Sequence, residues 1–537
     1  DILQMVGILI LGLCLFYSLN FITKGSLPSS IGFTIVALIV FYGLAYILER
    51  LKKTETNQSS MKTVEYILFI GGYGFLFFTS LTVFSQTEIK NSVLDAESFM
   101  PLESASVYIK NTTIGTITNV DGRFVLLVPE KYKTDTLVVS SIGFKSYRVP
   151  VNEFDSSYDV YLEPDVASLD EILIVADSRP KTGNDIVLRA LEELSENLPD
   201  SSYLQKGFVR HKERNVKEFK WLVEGAITLY DSTYQTNTSE TLKINVDEVR
   251  KSYDLRDVDS LLTYTAYLKD KLNNKSLRAR NLRRDTIKTS SLVEAIKWND
   301  TRINGLETFF QGKLNLVRNS NASKSLFNEN MLDKHLFSLD TVLVDNDRKI
   351  YKIQIAKGKE YINLETKGIY NDGYHAKGWI YIYWDTYAIK KIEYELVAAS
   401  SAQKSRSKTL FGTQVNHKLV INYMEYQDKM YPSYIYYETP KLVNVGSKTA
   451  PKVKGEEVVE SDPEERYYYT VQEILFTEII NDKEQISQSL NQNWNPDLFQ
   501  SKPYNKAFWA NYNTLLESEE EEKLIEDLTK RSTLFKE

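Results

Sequence analysis

Four histidines, His211, His335, His375 and His417, are the side chains of this 537-residue sequence best suited to holding a metal. A zinc peptidase needs histidine and glutamate ligands a few residues apart, as in HExxH, with a further ligand elsewhere. None of the four has a second histidine at that spacing. His211-Lys212-Glu213 and Asp333-Lys334-His335 stand apart and read as surface or cross-strand residues. The single cysteine, Cys14, lies in the first apolar run, so the chain beyond it must fold without disulfides, thiolate zinc sites or a thiol nucleophile. No GxSxG elbow, P-loop or GxGxxG occurs, and no cofactor is expected. Carboxylates remain: Glu224 and Asp231 in FKWLVEGAITLYD, and Asp385 in a turn. A glycosidase pair is defined by spatial separation, so one could form only in the fold.

Binding chemistry is better supplied. Trp221, Tyr230, Trp379, Tyr381, Tyr383, Trp384 and Tyr387 sit on alternating, strand-like runs. If they share a face, that face suits an apolar, peptide or glycan ligand. The same residues would serve equally as core beneath helices. Tyrosines outnumber phenylalanines, 35 to 24, as suits sheets with faces partly in water. The net charge of −7 offers no basic surplus, so nucleic acid is not an expected partner. Lys275, Arg278, Arg280, Arg283 and Arg284 read as a solvated face.

The elements that must position these residues are mainly β with helices, an α+β chain. Residues 183–537 open with an amphipathic helix in GNDIVLRALEELSENLP, capped by Asn-Asp. Long Tyr-rich runs follow, among them GWIYIYWDTYAIKKIEYELVA and NHKLVINYMEYQDKMYPSYIYYETP, with helices over Val258–Leu272 and near Ser325–Phe337. This pattern predicts one large antiparallel curved sheet or half-barrel with helices on one face. A charged loop spans 449–463, and Asn511 to Thr514 are expected to cap an acidic C-terminal helix docked through Leu524, Ile525 and Leu528.

Before that region, residues 86–165 alternate over short strands at Ser92–Leu94, Ala105–Ile109, Gly115–Thr118, Phe124–Val128, Thr136–Ser140 and Lys145–Val149. Asp121-Gly122 supplies a positive-φ turn between ITNV and RFVLLV. Val93-Leu94-Asp95-Ala96, Pro101-Leu102, Ala105-Ser106-Val107, Gly115-Thr116, Asp121-Gly122-Arg123-Phe124 and Ser141-Ile142-Gly143-Phe144 together resemble the carboxypeptidase-regulatory-like domain of Bacteroidota envelope proteins. The resemblance implies a small prealbumin-like β-sandwich with a spacer or interaction role and no catalytic residues. Leu169 to Val175, LDEILIV, in the linker 166–182, is similar to the segment that joins this domain to the plug of TonB-dependent transporters. About 360 further residues are too few for such a plug plus a large barrel. The hairpin after Gly378 resembles those of periplasmic lipoprotein-carrier half-barrels. The whole order resembles Bacteroidota carboxypeptidase-like regulatory domain-containing proteins.

Two apolar runs, Ile2–Ile22 and Ile31–Leu48, within residues 1–60, read as transmembrane helices with Arg50, Lys52 and Lys53 inside. Residues 61–85, from Met61, read either as a secretory signal cleaved before Gln86 or as a third span. Under the first reading residues 1–60 belong to an upstream or over-extended reading frame. Under either, the remainder is exported to the periplasm, outer membrane or cell surface, with inner-membrane anchoring if 1–85 stay attached. The expected function is non-enzymatic binding or scaffolding, with a membrane or other envelope proteins as partners. Two alternatives stay open: a glycan-acting hydrolase, and a structural subunit of an inner-membrane complex.

Overall fold

The computed structural model describes residues 86–165, 179–214, 219–236, 241–253, 260–282, 286–312, 316–320, 327, 331–356, 373–411, 416–442, 452–453 and 467–531. The apolar runs before Gln86, the segment Leu169 to Val175 and most of the charged loop lie outside them. No helix among the described residues is long and apolar enough to cross a membrane.

The first seven strands are β1 (Gln86–Asp95), β2 (Ser106–Ile109), β3 (Gly115–Ile117), β4 (Arg123–Pro129), β5 (Thr136–Ser140), β6 (Tyr147–Pro150) and β7 (Val160–Leu162). They make two sheets, β4-β1-β7 and β3-β2-β5-β6. Period-2 alternation decides what each strand buries: Phe124, Leu126 and Val128 point into the core, while Val125 and Leu127 between them are half-buried. At the turn into β4, Gly122 has φ +72°, and a Cβ there would meet the Val93 carbonyl at 2.6 Å. Only glycine fits. β1 begins at Gln86 rather than Ser92, because polar QTEIK pairs with Val125 to Pro129 and needs only Ile89 in the core.

The second region is built on β8 (Tyr203–Arg214), β9 (Phe219–Asp231), β10 (Lys243–Tyr253), β12 (Leu336–Asp345), β13 (Arg348–Ala356), β14 (Tyr374–Tyr383), β15 (Ile389–Ala398), β16 (Asn416–Tyr426), β17 (Lys429–Leu442) and β19 (Tyr467–Ile480). These form one open ten-stranded antiparallel sheet, ordered β10-β9-β8-β19-β17-β16-β15-β14-β13-β12. A two-residue pair, β11 (Thr286–Ile287) with β18 (Lys452–Val453), lies apart from it. The chain starts at β8 near the middle, meanders out to one edge at β10, crosses to the opposite edge at β12, and meanders back to β17. β19 then fills the gap beside β8. Two-residue hairpins at Asn346-Asp347 and Gln427-Asp428, all four at positive φ, set the register on either side.

The crossover carries helices, including α2 (Ser260–Lys271), α3 (Thr289–Asn304) and α4 (Leu306–Gln311), while α1 (Gly183–Glu192) precedes the sheet. Ile186, Val187 and Ala190 of α1, Leu292 and Ile296 of α3, and Phe309 and Phe310 of α4 pack in one core with Val223, Ile227, Ile353, Ile380, Ile392 and Ile421. One face of the sheet is therefore apolar and covered by helices. Open sheets risk edge-to-edge association, and both edges here are occupied. At β12, Phe337 N–H donates to Asn184 Oδ1 of α1 (2.8 Å) and Gly143 N–H of the sandwich donates to the Val344 carbonyl (2.7 Å). At β10, Val246 N–H donates to the Asn495 carbonyl (2.8 Å), and Lys502 Nζ donates to the Val246 carbonyl (2.9 Å).

Two histidines belong to this core. His335 Nδ1–H donates to the Met331 carbonyl, leaving Nε2 to accept from Tyr394 OH at 2.9 Å, an arrangement that needs neutral imidazole. His417 Nδ1 lies 2.8 Å from Thr439 Oγ1. Burial pushes both pKa values from 6.5 down to about 4. The stability they contribute is complete above the unfolded value and is lost as pH falls from 6.5 to about 4, worth about 3 kcal/mol for each group. Urea unfolding should accordingly show a clear loss between pH 7 and pH 4. Replacing both histidines with glutamine should flatten that slope.

Candidate functional site

The aromatic residues singled out in the sequence do not converge. Trp221 is 1% exposed beneath the helices, where its Nε1–H donates to His211 Nε2 at 3.2 Å. Tyr230 lies on the opposite face of β9, 6.4 Å from the Trp494 ring. Trp379 is half-buried under Lys352 Nζ, 4.1 Å from its ring centre. Trp384 lies under the Arg179 guanidinium, 3.5 Å away. Tyr381 and Tyr383 meet the sandwich: Tyr381 lines a small space of 90 Å³ beside Ser106 and Ser140. Tyr383 donates from its hydroxyl to Asp345 Oδ2 at 2.6 Å.

Tyr383 is also the one member of that set lining a larger cleft of 740 Å³. Its walls are the outward side of the four-stranded sandwich sheet, at Ser106, Tyr108, Thr113 and Arg148, and the two hairpin turns Asn346-Asp347 and Gln427-Asp428. The walls are pinned together. Asn346 Nδ2 donates to Tyr108 OH (2.8 Å), Ser146 Oγ to Asn346 Oδ1 (2.8 Å), and Arg148 pairs with Asp347 (2.8 Å). Lys110, Arg148, Arg348 and Lys390 face Asp347, Glu425 and Asp428, so the cleft is almost charge-balanced and rich in hydroxyls and amides.

The three carboxylates considered for acid chemistry are each tied to arginine. Both oxygens of Glu224 are engaged, by Arg210 Nε (2.7 Å) and Arg250 Nε (2.6 Å). Burial alone would raise its pKa, but Arg210 and Arg250 hold it below the usual range. Asp231 receives a fork from Arg318, and Asp385 one from Arg348. His211 and His335, read from sequence as surface or cross-strand residues, are both fully buried, and His211 is a cross-strand residue between Gln472 and Val223. β8 runs through the middle of the sheet, so His211 faces α3 and lies 2.7 Å from Asp300 Oδ2. Gln472 beside it donates to the Asn304 carbonyl. This polar cluster ties the helical layer to the sheet.

What sequence reasoning missed is the ionic centre on the opposite face. Arg210 and Lys212 alternate with His211 on β8 and meet Glu224, Arg250 and Glu473 across β9, β10 and β19. The C-terminal segment closes over them. Arg210 Nη2 donates to the Leu515 carbonyl (2.7 Å) and Glu517 (2.9 Å), and Lys212 Nζ to Glu521 (2.6 Å). Burial favours the neutral Glu521 acid, yet Lys212, with Arg210 and Arg214, pulls its pKa down to about 2. Glu517 goes the other way: burial, with Glu224 nearby, raises it despite Arg210.

The same segment holds the sandwich. Asn513 exchanges two bonds with Leu127 of β4, as a neighbouring strand would, through Oδ1 (2.8 Å) and Nδ2 (3.1 Å). Asn119 and Arg123 donate to the Glu517 carbonyl, and Glu519 N–H donates to Asp121 Oδ2. The acidic helix α5 (Glu519–Arg531) docks Leu524 and Leu528 on Phe219 and Leu222. Ser518, not the Asn511–Thr514 stretch, supplies its cap, accepting from Glu521 N–H at 3.2 Å. Asn513 is committed to β4 instead. The alternating cations in VRHKER were the available signal, because i, i+2, i+4 residues share one strand face.

The sandwich's matches are specific. Residues 89–174 match the CarboxypepD_reg-like domain. They are a CarboxypepD_reg-like domain. Over 125 residues the chain is 30% identical to the TonB-dependent receptor SusC of Bacteroides thetaiotaomicron, covering 22% of this chain and 12% of that protein. Over 104 residues it is 34% identical to the TonB-dependent receptor P39 of Formosa agariphila, covering 19% and 10%. The chain thus spans only a small part of either relative's length, and the CarboxypepD_reg-like domain is a module shared with envelope receptors. Among solved structures, an outer membrane lipoprotein-sorting protein domain from Vibrio parahaemolyticus aligns over 56% of this chain and 97% of that one, at 9% identity and TM-score 0.20. A LolA superfamily protein from Nitrosomonas europaea aligns over 57% and 97%, at 10% identity and TM-score 0.19. Likeness at that level fixes neither fold nor ligand.

Removing Glu224 leaves the buried Arg210 guanidinium and the half-buried Arg250 one without their shared counter-ion. Glu224→Leu should cost roughly 3–5 kcal/mol in urea unfolding. The Glu521 contribution is full above about 4.5 and is lost as pH falls towards about 2. Limited proteolysis should therefore release the C-terminal segment in that acid window, and at neutral pH in Glu521→Gln.

Proposed function

We propose that this chain is an exported envelope protein that binds a ligand or partner without catalysing a reaction, and that the cleft between the CarboxypepD_reg-like domain and the ten-stranded sheet is its ligand site. The observation that carries this reading is the cleft itself. Its 740 Å³ falls within the range of small-ligand sites. Its two walls are bonded to each other rather than loosely tethered, so the space is pre-formed and little ordering is required on binding. The near-balance of charge and the hydroxyl and amide lining favour a neutral polar ligand, a glycan or an extended peptide, over an apolar one. Tyr426 beside Met424 offers a ring for stacking. The CarboxypepD_reg-like domain shared with TonB-dependent receptors supports the envelope location.

The glycan-hydrolase alternative is disfavoured by one feature. Glu224, Asp231 and Asp385 each spend their oxygens on arginine, and a general acid must instead keep a proton at hand.

The test pairs calorimetric titration of the purified full chain, against neutral oligosaccharides and unstructured peptides, with turnover assays on the same panel. Binding without turnover, abolished by Ser106→Trp at the cleft wall, is the expected result. Hydrolysis at enzymatic rates, or binding indifferent to Ser106→Trp, would overturn the proposal. Cell fractionation should find the protein in envelope fractions.

A further inference from the structure

Eight large apolar side chains are prominently exposed among the described residues, and six of them, Phe99, Met100, Val120, Tyr147, Tyr158 and Tyr161, belong to the sandwich. Two of them, Phe99 and Tyr161, make one surface together with half-buried Leu94. Phe99 is 66% and Tyr161 47% exposed, and their rings meet edge to face at 6.0 Å. Leu94 lies beside Tyr161 in the parallel β1–β7 register, on the side of the sheet away from buried Val93 and Val160. This three-stranded sheet is not the one that lines the cleft, so the surface is separate from the site proposed above.

The loop that presents Phe99 is built. Asp95 Oδ1 accepts from Glu97 N–H (2.9 Å) and Oδ2 from Ser98 Oγ (2.6 Å). Phe99 N–H donates to the Asp95 carbonyl (2.9 Å), and Asp95 N–H donates to the Met100 carbonyl (3.0 Å). Phe99 itself sits at φ +59°, a conformation that disfavours bulky side chains and that glycine or asparagine would adopt more readily. A strained, tightly hydrogen-bonded loop with a phenylalanine at its tip is poorly explained by stability alone. Tyr158, 74% exposed, is held to β1 through its carbonyl, which accepts from Asn91 Nδ2 at 2.9 Å.

We infer that Phe99, Met100, Tyr161 and Leu94 form a docking surface for an apolar protein segment flanked by lysine or arginine. The charges decide the occupant. Asp95 and Glu97 stand in the loop, and exposed Asp159 lies two residues before Tyr161; of the cations on this face, Arg123 of β4, opposite Ser92, is already paired with Asp121 and Glu522, and Lys90 of β1 lies four residues from Leu94. An acidic rim opposes a second copy of this chain, whose net charge is −7, and equally opposes an anionic lipid surface. A basic-flanked segment satisfies the rim while its apolar centre covers Phe99 and Tyr161.

The experiment measures fluorescence anisotropy of the full chain with two labelled peptides sharing a Leu-Trp centre, one flanked by lysines and the other by glutamates. The lysine-flanked peptide is expected to bind and to weaken with salt. Phe99→Ser and Tyr161→Ser, both surface changes checked for fold by circular dichroism, should each lower its affinity about tenfold or more. Glu97→Lys with Asp159→Lys should remove the salt dependence. Equal binding of both peptides, binding of neither, or binding unchanged in Phe99→Ser overturns the inference. So does self-association in sedimentation that Phe99→Ser abolishes, which would make a second copy the occupant. Phe99-dependent adsorption to phosphatidylglycerol vesicles would do the same in favour of a membrane.

Discussion

Glu224 is the constraint on which the rest depends. A carboxylate with no exposed surface, in the middle of a ten-stranded sheet, is tolerable only if its charge is met from both sides. Arg210 and Arg250 do so from the neighbouring strands. Their surplus positive charge then has to be met in turn, and Glu517, Glu521 and Glu473 meet it together with that of Lys212. Two of those three acids come from the C-terminal segment. The charge balance of the sheet centre is therefore incomplete until the chain's last described residues arrive.

That dependence explains how a small sandwich becomes part of a larger body. Its own core, from Ile89 to Leu162, is closed and needs nothing from outside. Docking uses polar groups on its rim, Asn119, Asp121 and Arg123 beside the Gly122 turn and the free edge of β4 at Leu127, together with Ile117, which is buried against Phe208, Leu475 and Trp509. The C-terminal segment touches all of these on one side and the ionic centre on the other. Hydrophobic closure comes from Trp509, which packs edge to face against Phe208 and carries the Arg250 guanidinium 4.5 Å above its ring. Apolar burial builds the two bodies, and ion pairs, neutral hydrogen bonds and the Ile117 and Ile142 contacts together set their relation.

Much of this was legible in the sequence, and the reason lies in periodicity. Alternation in SVYIK and RFVLLV gives strands, and Asp-Gly gives their turn, because these are local properties of the chain. The large antiparallel sheet with helices on one face follows from the same reading. The site residues were not legible. Alternation says that Trp379, Tyr381 and Tyr383 share a face of β14, but not that Trp221 of β9 faces the other side of the same sheet. That depends on the register between strands more than a hundred residues apart, which no local pattern encodes. His211 was left open between a surface and a cross-strand position, and it is the second. A histidine between two cations looks solvated, yet β8 lies in the sheet centre, and its odd-numbered residue turns inward towards Asp300.

The topology then accounts for where a ligand site can arise. The crossover from β10 to β12 must travel the full width of the sheet, and it does so as helices that use one face as their core. Among the described residues, a space beside Leu198, Tyr203 and Phe310 is only about 20 Å³, room for about one water and not for a ligand. The other face is divided between the C-terminal segment and the sandwich. The sandwich meets a sheet that ends in two-residue turns, and two twisted β surfaces of different strand number do not match everywhere. They join at Gly143, Ser146 and Asn346 and part beneath the Asn346-Asp347 and Gln427-Asp428 hairpins. The cleft is what two differently shaped β surfaces leave when ion pairs fix them side by side, and its polar lining follows from its being made of strand faces and turns that would otherwise meet water.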